Sequence, residues 1–347
     1  MTAEAAAPET AYLHFDALVD LLGRILEVHG APADVAHELA HNCASAERDG
    51  ALSHGVFRMP SYVSTLHSGY VDAKAIPQID DVAPSMLHVD ARNGFAQPAL
   101  AKVKERALDK VCTQGLCIVA THDSHHLGAL WLDVEPFARQ GLVALTFVNG
   151  ISRVAPHGGH RPFYGTNPMA LAVPRHHTDP LVFDQASSAM SYGEVKLAQD
   201  HGETVPPGIG IDQAAQPTVD PKAILEGGAL LPFGKHKGSS ISMMVELMAG
   251  ALTGAAFSFQ VDRRQHHGAQ TSRSGQLLCL IDPTRLVGAG FPDRVEELVQ
   301  GLHDSGQARL PGDRRYENRR RSHSVGIPIA AGVRARLDAL LDPAARP

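Results

Sequence analysis

The chain has 347 residues, and 31 lysines and arginines against 37 aspartates and glutamates give it a formal net charge of −6. A chain of this length can bury a core without disulfides or metals, and a hydrophobic share of 44% excludes disorder as the dominant state. The mild negative charge offers no signature for binding nucleic acid or an anionic membrane. We therefore expect a small-molecule partner.

The composition also favours a cytoplasmic location. Four scattered cysteines are too few for a disulfide framework and predict reduced thiols. The amino terminus lacks the basic start and apolar core of a secretion signal. The most apolar stretch, residues 241–259, contains Glu246 and two glycines and falls short of a membrane span.

Hydrophobic periodicity predicts that the first 70 residues are helical. Leucines and isoleucines recur at helical spacing from Leu18 to Leu26, and Gly30 follows as a stop signal. A second helix is predicted over residues 34–49, and a third from near residue 53 towards Gly69.

From about residue 86, strand and helix patterns alternate and predict a mixed α/β domain. Strands are expected at MLHVDA (86–91), LCIVA (116–120), LVALTFV (142–148), MALAVP (169–174), PLVFD (180–184) and QLLCLID (276–282). Helices are expected over 97–112, near 130–140, over 238–253 and again after residue 293. Two Gly/Pro-rich connections, 202–217 and 227–238, are predicted to be ordered loops near a site or simple linkers.

Common nucleotide and nucleophile motifs are not found. The only G-x-G near a strand, at Gly208 and Gly210, has Gln213 where a dinucleotide motif needs its third glycine. GKHKGSS (234–240) lacks P-loop spacing, and no G-x-S-x-G is present. These results argue against a standard dinucleotide loop, ATP chemistry and a serine hydrolase.

Three of the 20 histidines cluster in THDSHHLGALW (121–131), which we predict to be a strand-to-helix loop. The H-x-x-H-H spacing matches neither H-E-x-x-H nor a cysteine-containing zinc site. We expect no metal here, and instead a polar loop lining or a cofactor contact.

SHGVFR (53–58) is the segment best suited to chemistry. At the start of a predicted helix, His54 and Arg58 fall on one face. An imidazole that titrates near neutrality suits a general acid, and a guanidinium binds a carboxylate through two parallel hydrogen bonds. Two alternatives stay open: Ser53 caps the helix, and His54 with Arg58 forms an ordinary solvated face.

Several stretches carry a family resemblance. They are SHGVFRMPSY (53–62), NGFAQPAL (93–100), SHHLGALW (124–131), PHGGHRPFYGTNPMALAVPR (156–175), VFDQASSAMSYGE (182–194), GGALLPFGKHKGSSISMMVELMAGALTG (227–254) and RLPGDRRY (309–316). From about residue 10 to 330, the sequence resembles the malate/L-lactate dehydrogenase-like oxidoreductases, and in particular their branch of Δ1-piperideine-2-carboxylate/Δ1-pyrroline-2-carboxylate reductases.

The resemblance implies an α/β fold: a non-Rossmann NAD(P)-binding domain with a mostly antiparallel sheet, plus a helical domain formed by both terminal segments. We expect a helical segment over 1–75, the cofactor domain over 76–296, and a carboxyl-terminal helical segment over 297–347 that packs with the first. A homodimer with an active site near the subunit interface is also implied.

In that family His54 matches the proton donor, Ser53 its relay partner and Arg58 the anchor of the substrate carboxylate. Contacts with substrate or nicotinamide are implied for Thr166, Tyr192 and Gly193. Cofactor contacts are implied for His126, Leu127, Gly128, Ala129, Leu130, Asp184, Gln185, Ala186, His236, Lys237, Arg309, Gly312, Asp313, Arg314, Arg315 and Tyr316.

Glu194 favours an imine substrate. The family's hydroxy-acid enzymes usually show Arg-Gly-Lys where this chain shows Tyr192-Gly193-Glu194. A cation stabilises the oxyanion of a reduced ketone, whereas a carboxylate stabilises a cationic C=N. We expect Glu194 to assist His54, although the resembling reductases carry aspartate there and the extra methylene can change turnover or substrate size. A surface helix carboxylate is the alternative.

The arginines at 314, 315 and 319–321 favour NADPH over NADH, because an arginine pair binds a 2′-phosphate. A solvated cationic helix is the alternative. The sequence thus predicts NADPH-dependent reduction of small cyclic imino acids to L-pipecolate or L-proline. The competing hypotheses are an NAD(P)-dependent 2-hydroxy-acid dehydrogenase of the malate, lactate or ureidoglycolate type, and a silent metabolite- or metal-binding protein on the same scaffold.

Overall fold

The computed structural model describes residues 10–345. The helices are α1 (Phe15–Val28), α2 (Ala33–Arg48), α3 (Met59–Ser68), α4 (Ala96–Gln114), α5 (Trp131–Ala138), α6 (Tyr192–His201), α7 (Pro221–Leu225), α8 (His236–Val245), α9 (Thr284–Val287), α10 (Phe291–Asp304), α11 (Asp313–Val325) and α12 (Ala331–Ala339). The strands are β1 (Thr10–Leu13), β2 (Gln78–Ala83), β3 (Met86–Phe95), β4 (Leu116–His125), β5 (Val143–Val148), β6 (Met169–Val173), β7 (Leu181–Gln185), β8 (Gly210–Ile211), β9 (Pro217–Thr218), β10 (Ala229–Leu230), β11 (Arg273–Ile281) and β12 (Ile327–Ala330).

Seven strands form the main sheet in the order β2-β3-β4-β11-β5-β6-β7. Within this sheet, as the structure describes it, only the β3–β4 pairing is parallel, and the other neighbouring strands are antiparallel. Helices α4 and α5 pack on the sheet through apolar side chains such as Val103, Val134 and Phe137, which are buried with Val119 and Leu278. The prediction of a mixed α/β protein with a mostly antiparallel sheet is confirmed at this level.

The two ends of the described chain share a second core. The periodic residues of α1, including Leu18, Leu22 and Ile25, are buried together with Ile327 of β12 and Leu337 of α12. Strand β1 pairs antiparallel with β12. The expectation that the first 70 residues are all helical is therefore wrong at β1, because its partner strand lies more than 300 residues further along the chain. The domain limits at residues 75 and 296 stay a prediction.

A small three-stranded sheet, in the order β10-β8-β9, forms within the two Gly/Pro-rich connections. Its apolar side chains pack against α6 and α7 around Val195, Ile209, Ile224 and Leu230. This packing fixes α6, whose first residues are Tyr192 and Gly193. Between residues 10 and 345, no helix combines the length and the apolar character that a bilayer crossing needs.

Candidate active site

The prediction that one α-helix begins at Ser53 and runs through Arg58 is wrong. Two 3₁₀ turns, Leu52–His54 and Val56–Arg58, are separated by Gly55 at φ −85° and ψ −141°. His54 and Arg58 therefore do not lie on one helical face. They are still close enough for the charge of Arg58 to lower the pKa of His54.

Ser53 contacts His54 directly: its Oγ lies 3.0 Å from Nδ1 of the imidazole. The residue before the turn is Ala51, and no side-chain cap is present there, so the capping alternative for Ser53 is wrong. Desolvation is the main cause that lowers the pKa of His54 to about 3, and the charges of Arg58 and His126 act in the same direction. The imidazole is neutral at pH 7 in this state.

Helix α6 begins against this pair of turns. A Cβ at Gly193 would lie 3.1 Å from Nη2 of Arg58 and 3.1 Å from Cβ of Ser53, so a side chain there would force these neighbours to shift by a few tenths of an ångström. The Nε of Arg58 is buried and has no hydrogen-bond partner within residues 10–345. The structure thus brings Ser53, His54, Arg58 and Gly193 together, with one guanidinium donor unpaired.

Glu194 has a structural role that the sequence analysis missed. Its Oε2 accepts a hydrogen bond from the Ser191 N–H at 3.0 Å, and Ser191 Oγ accepts one from the Glu194 N–H at 3.1 Å. This is a capping box, and the signal S-x-x-E at 191–194 could have revealed it. Glu194 is exposed and makes no hydrogen bond to His54. Its role beside His54 stays a prediction.

Thr166 is held next to the end of β7. Its carbonyl oxygen accepts hydrogen bonds from the N–H of Ser187 at 2.8 Å and from Ser187 Oγ at 3.0 Å. Both bonds use the backbone, and the half-exposed Thr166 side chain makes no hydrogen bond within the described chain.

The histidine cluster divides between a strand and a loop. His122 and His125 belong to β4, so the predicted loop is wrong for these two residues. His125 is buried between Thr271 Oγ1 at 2.8 Å and Asn93 Oδ1 at 2.9 Å. Of the three clustered histidines, His126 is the one that lies close enough to His54 to lower its pKa.

His126 is fixed by a buried carboxylate. Its Nε2 lies 2.9 Å from Oδ2 of Asp133, which also accepts a 2.8 Å hydrogen bond from Nε2 of Gln276. The following residues reach β7, because the Trp131 N–H donates to Oδ2 of Asp184 at 3.1 Å. Desolvation raises the pKa of Asp184 to about 6.

The stretch from Arg309 to Tyr316 converges on the same strand. Arg315 donates from Nη2 to the Val182 carbonyl at 2.8 Å, and its Cζ lies 4.8 Å from the centre of the Trp131 ring. Tyr316 donates its hydroxyl to the Pro180 carbonyl at 2.9 Å. Gly312, at φ +100°, ends the turn before α11. The predicted cofactor stretch 126–130, through the adjacent Trp131, and the predicted stretch 309–316 thus meet at β7.

Other predicted cofactor residues are not drawn into this contact network. His236 and Lys237 are exposed at the start of α8, and Gln185 is exposed at the end of β7. Arg309 and Arg314 are also exposed. Their roles stay predictions.

Two arginines expected to favour NADPH are held by acids of the chain itself. Arg319 donates from Nη1 to Oε1 of Glu135 at 2.6 Å and from Nε to Oδ1 of Asp49 at 3.1 Å. Arg320 pairs with Asp179 at 3.1 Å. Arg319 is a structural residue, because both of its partner carboxylates are almost fully buried.

The loop beside His126 has features that suit a polar cofactor. A Cβ at Gly128 would lie 2.5 Å from Oδ1 of Asn42 and 2.6 Å from Nε2 of Gln97. These two atoms, the Gln97 Oε1 and the Trp131 Nε1 are buried without a hydrogen-bond partner in the described part of the chain. Buried polar atoms normally find partners, so a ligand rich in donors and acceptors fits this region. Within residues 10–345, no group of three or more His, Cys, Asp or Glu side chains could hold a metal ion.

Comparison with known proteins places this geometry in a family. The model of the malate/L-lactate dehydrogenase family matches residues 13–338, and the chain belongs to this family of oxidoreductases. A Δ1-pyrroline-2-carboxylate/Δ1-piperideine-2-carboxylate reductase of Pseudomonas syringae pv. tomato is 53% identical over 340 residues, covering 98% of this chain and 99% of the relative.

Two further comparisons give a similar solved structure and a similar relative that is named for a hydroxy acid. The crystal structure of the Δ1-piperideine-2-carboxylate reductase from Pseudomonas syringae superposes with a TM-score of 0.93 at 53% identity, covering 95% of this chain and 99% of that one. A (2R)-3-sulfolactate dehydrogenase (NADP(+)) of Chromohalobacter salexigens is 42% identical, covering 88% of this chain and 91% of the relative.

Proposed function

We propose that the protein is an NADPH-dependent reductase of small cyclic imino acids, which converts Δ1-piperideine-2-carboxylate to L-pipecolate and Δ1-pyrroline-2-carboxylate to L-proline. The observation that carries this proposal is the contact of Ser53 and Arg58 with the start of α6, with His54 held beside them by Ser53. The near-complete match to reductases named for these two substrates supports it.

Arg58 is proposed to bind the substrate carboxylate. Its buried, unpaired Nε is a donor suited to an incoming oxyanion, and a charge-assisted bond there would offset the cost of its burial. Desolvation lowers the pKa of the Arg58 guanidinium, which an anion beside it would raise again.

His54 and Ser53 are proposed to manage the proton on the substrate nitrogen. Reduction adds a hydride to C2 and leaves one more proton on the amine than the neutral imine carries. His54 is neutral before substrate arrives, and a bound carboxylate on Arg58 would raise its pKa towards neutrality. The Ser53 hydroxyl would hold the orientation of the ring through Nδ1. Glu194 is proposed to stabilise the cationic form of the C=N group.

Bound NADPH supplies the hydride. We propose that residues 126–130 and 184–186, His236 with Lys237, and the stretch from Arg309 to Tyr316 hold it in a non-Rossmann domain. The unpaired polar atoms near Gly128 and the convergence of two stretches on β7 support this assignment. Arg314 is proposed to favour the 2′-phosphate, since it is exposed and has no ion-pair partner within residues 10–345. The proposal includes a homodimer that functions in the cytoplasm.

An NADPH-oxidation assay with both cyclic imino acids, oxaloacetate and pyruvate, at two pH values, tests the reaction. We expect the imino acids to be preferred. His54→Ala should lower kcat by roughly 10²–10⁴ while NADPH fluorescence still reports cofactor binding. A rate equal to that of the unaltered enzyme would remove His54 from the mechanism.

One observation favours a second candidate, a 2-hydroxy-acid dehydrogenase. The relative from Chromohalobacter salexigens is named for a hydroxy acid although it is 42% identical. A preference for keto acids in the same assay would select this candidate and would show that Glu194 does not mark an imine substrate.

A further inference from the structure

A group of cationic side chains surrounds the aromatic ring of Tyr192. The Cζ of Arg153 lies 4.1 Å from the ring centre, and the Nζ of Lys196 lies 5.4 Å from it. Arg263 is close enough to both Arg153 and Tyr192 for each to affect its pKa, and Arg58 in turn affects Lys196. Four positive charges, two of them in contact with the Tyr192 ring, therefore lie near the start of α6.

Between residues 10 and 345, no acid forms an ion pair with Arg153, Lys196 or Arg263. The Asp200 carboxylate raises the pKa of Lys196, but it is exposed and forms no ion pair with Lys196 in the described structure. Asp262 pairs with Arg264 instead, and Glu194 caps α6. Desolvation and mutual repulsion lower the pKa values of both Lys196 and Arg263, and an anion at this place would relieve that repulsion.

A cavity of about 190 Å³ lies on the Arg153 side of the group; Ser152, Arg153 and Tyr192 line it, and its other lining residues are apolar or glycine. Arg153 Nε and Ser152 Oγ are buried, and neither has a hydrogen-bond partner between residues 10 and 345. The cavity therefore borders unsatisfied donors next to unneutralised positive charge, which suits an oxyanion.

We propose that Arg153, Lys196 and Arg263 form a second anion subsite beside Arg58, so that the enzyme accepts cyclic imino acids with a second carboxylate or sulfonate. The inference rests on the proposed role of Arg58, because one guanidinium suffices for the first carboxylate. The shared chemistry is an oxyanion, which either the substrate or a phosphate of the cofactor can provide, and the test separates these sources.

The test compares pairs of ligands that differ by one carboxylate. Calorimetry with pyridine-2-carboxylate and pyridine-2,6-dicarboxylate measures binding to the NADP⁺-loaded enzyme, and turnover is compared for Δ1-piperideine-2-carboxylate and its 2,6-dicarboxylate. We expect the dicarboxylates to be favoured about tenfold or more in both comparisons.

Arg153→Met and Lys196→Met keep apolar stems against Tyr192 and remove one charge each. Each should lower the dicarboxylate preference about tenfold. Arg264→Met is the matched control, because it removes a charge one residue from Arg263 on a side chain that is 89% exposed and paired with Asp262. It should leave the preference unchanged.

If the preference for dicarboxylates were the same in the unaltered enzyme and in both variants, the subsite would be overturned. A rise in the NADPH KM of both variants, with equal losses for mono- and dicarboxylates, would also overturn it and assign the anion to the cofactor. Failure of the proposed function looks different, because neither cyclic imino acid would then be reduced while pyridine-dicarboxylate binding could still be measured.

Discussion

Glu47 accepts a 3.0 Å hydrogen bond through Oε2 from the backbone N–H of Val56. The bond joins α2 to the turn between His54 and Arg58, and it is buried. A Cβ at Gly55 would collide with the same carboxylate, so the chain approaches Glu47 closely only because residue 55 is glycine. Glu47 is therefore a positioning residue for the two side chains in the proposed mechanism.

Replacing Glu47 should affect catalysis according to whether an acceptor remains. Glu47→Gln keeps an oxygen for the Val56 N–H and should hold kcat/KM within a few fold. Glu47→Ala leaves that N–H unpaired and releases the turn, so kcat/KM should fall by about 10–10². The amide variant is the control, and an equal loss in both variants would show that the charge matters rather than the position of the turn.

Glu47 should also make stability depend on pH. Burial raises its pKa from 4.5 to about 7, so between these values the folded state keeps a proton that the unfolded state has lost. The free energy of unfolding should therefore fall as pH rises from 4.5 to 7, by about 3 kcal/mol from this group alone.

The measurement is the difference in urea unfolding between the unaltered protein and Glu47→Gln at several pH values. His54 acts with the opposite sign, because its lowered pKa makes stability fall as pH drops below 6.5. Since both proteins contain His54, the difference isolates Glu47. A difference that stays constant from pH 4.5 to 7 would contradict the prediction.

Two variants can separate the capping role of Glu194 from its proposed role in catalysis. Glu194→Gln keeps the capping box but removes the charge, whereas Ser191→Ala breaks the box and keeps the carboxylate. If Glu194 stabilises a cationic C=N, the glutamine variant should reduce cyclic imino acids about 10–10² more slowly, at unchanged stability.

Ser191→Ala is the control for the cap. It should cost about 1 kcal/mol of stability, measured by thermal unfolding, and should change kcat little. The reverse pattern, with normal turnover in Glu194→Gln, would leave Glu194 as a capping residue only.

Local signals in the sequence predicted more than long-range contacts did. The alternation of strands and helices predicted the mixed α/β fold, and periodic leucines marked α1 because burial follows helical spacing. Gly55 could have warned that no single helix runs through His54 and Arg58. The β1–β12 pair and the contacts of Arg319 could not be predicted, because their partners lie far along the chain and no local pattern encodes them.

Arg319 and Arg314 lie on one helix, but replacing them should have opposite effects: one variant should lose stability and the other NADPH affinity. Arg319→Met would leave the carboxylates of Asp49 and Glu135 buried, and Asp49 would depend on Arg48 alone. Losing one partner of a buried ion pair costs about 3–5 kcal/mol, so the midpoint of denaturant unfolding should fall sharply. NADPH affinity of the folded fraction should stay unchanged.

Arg314→Met is the matched charge change on the same helix. The exposed side chain supports little of the fold, so its stability should stay within about 0.5 kcal/mol. If Arg314 contacts the 2′-phosphate, the Kd of NADPH should rise about tenfold while that of NADH stays the same, because NADH lacks this group. Fluorescence titration of both nucleotides decides the matter: equal losses for NADPH and NADH would remove Arg314 as the determinant, and a weakened NADPH complex in folded Arg319→Met would contradict its purely structural role.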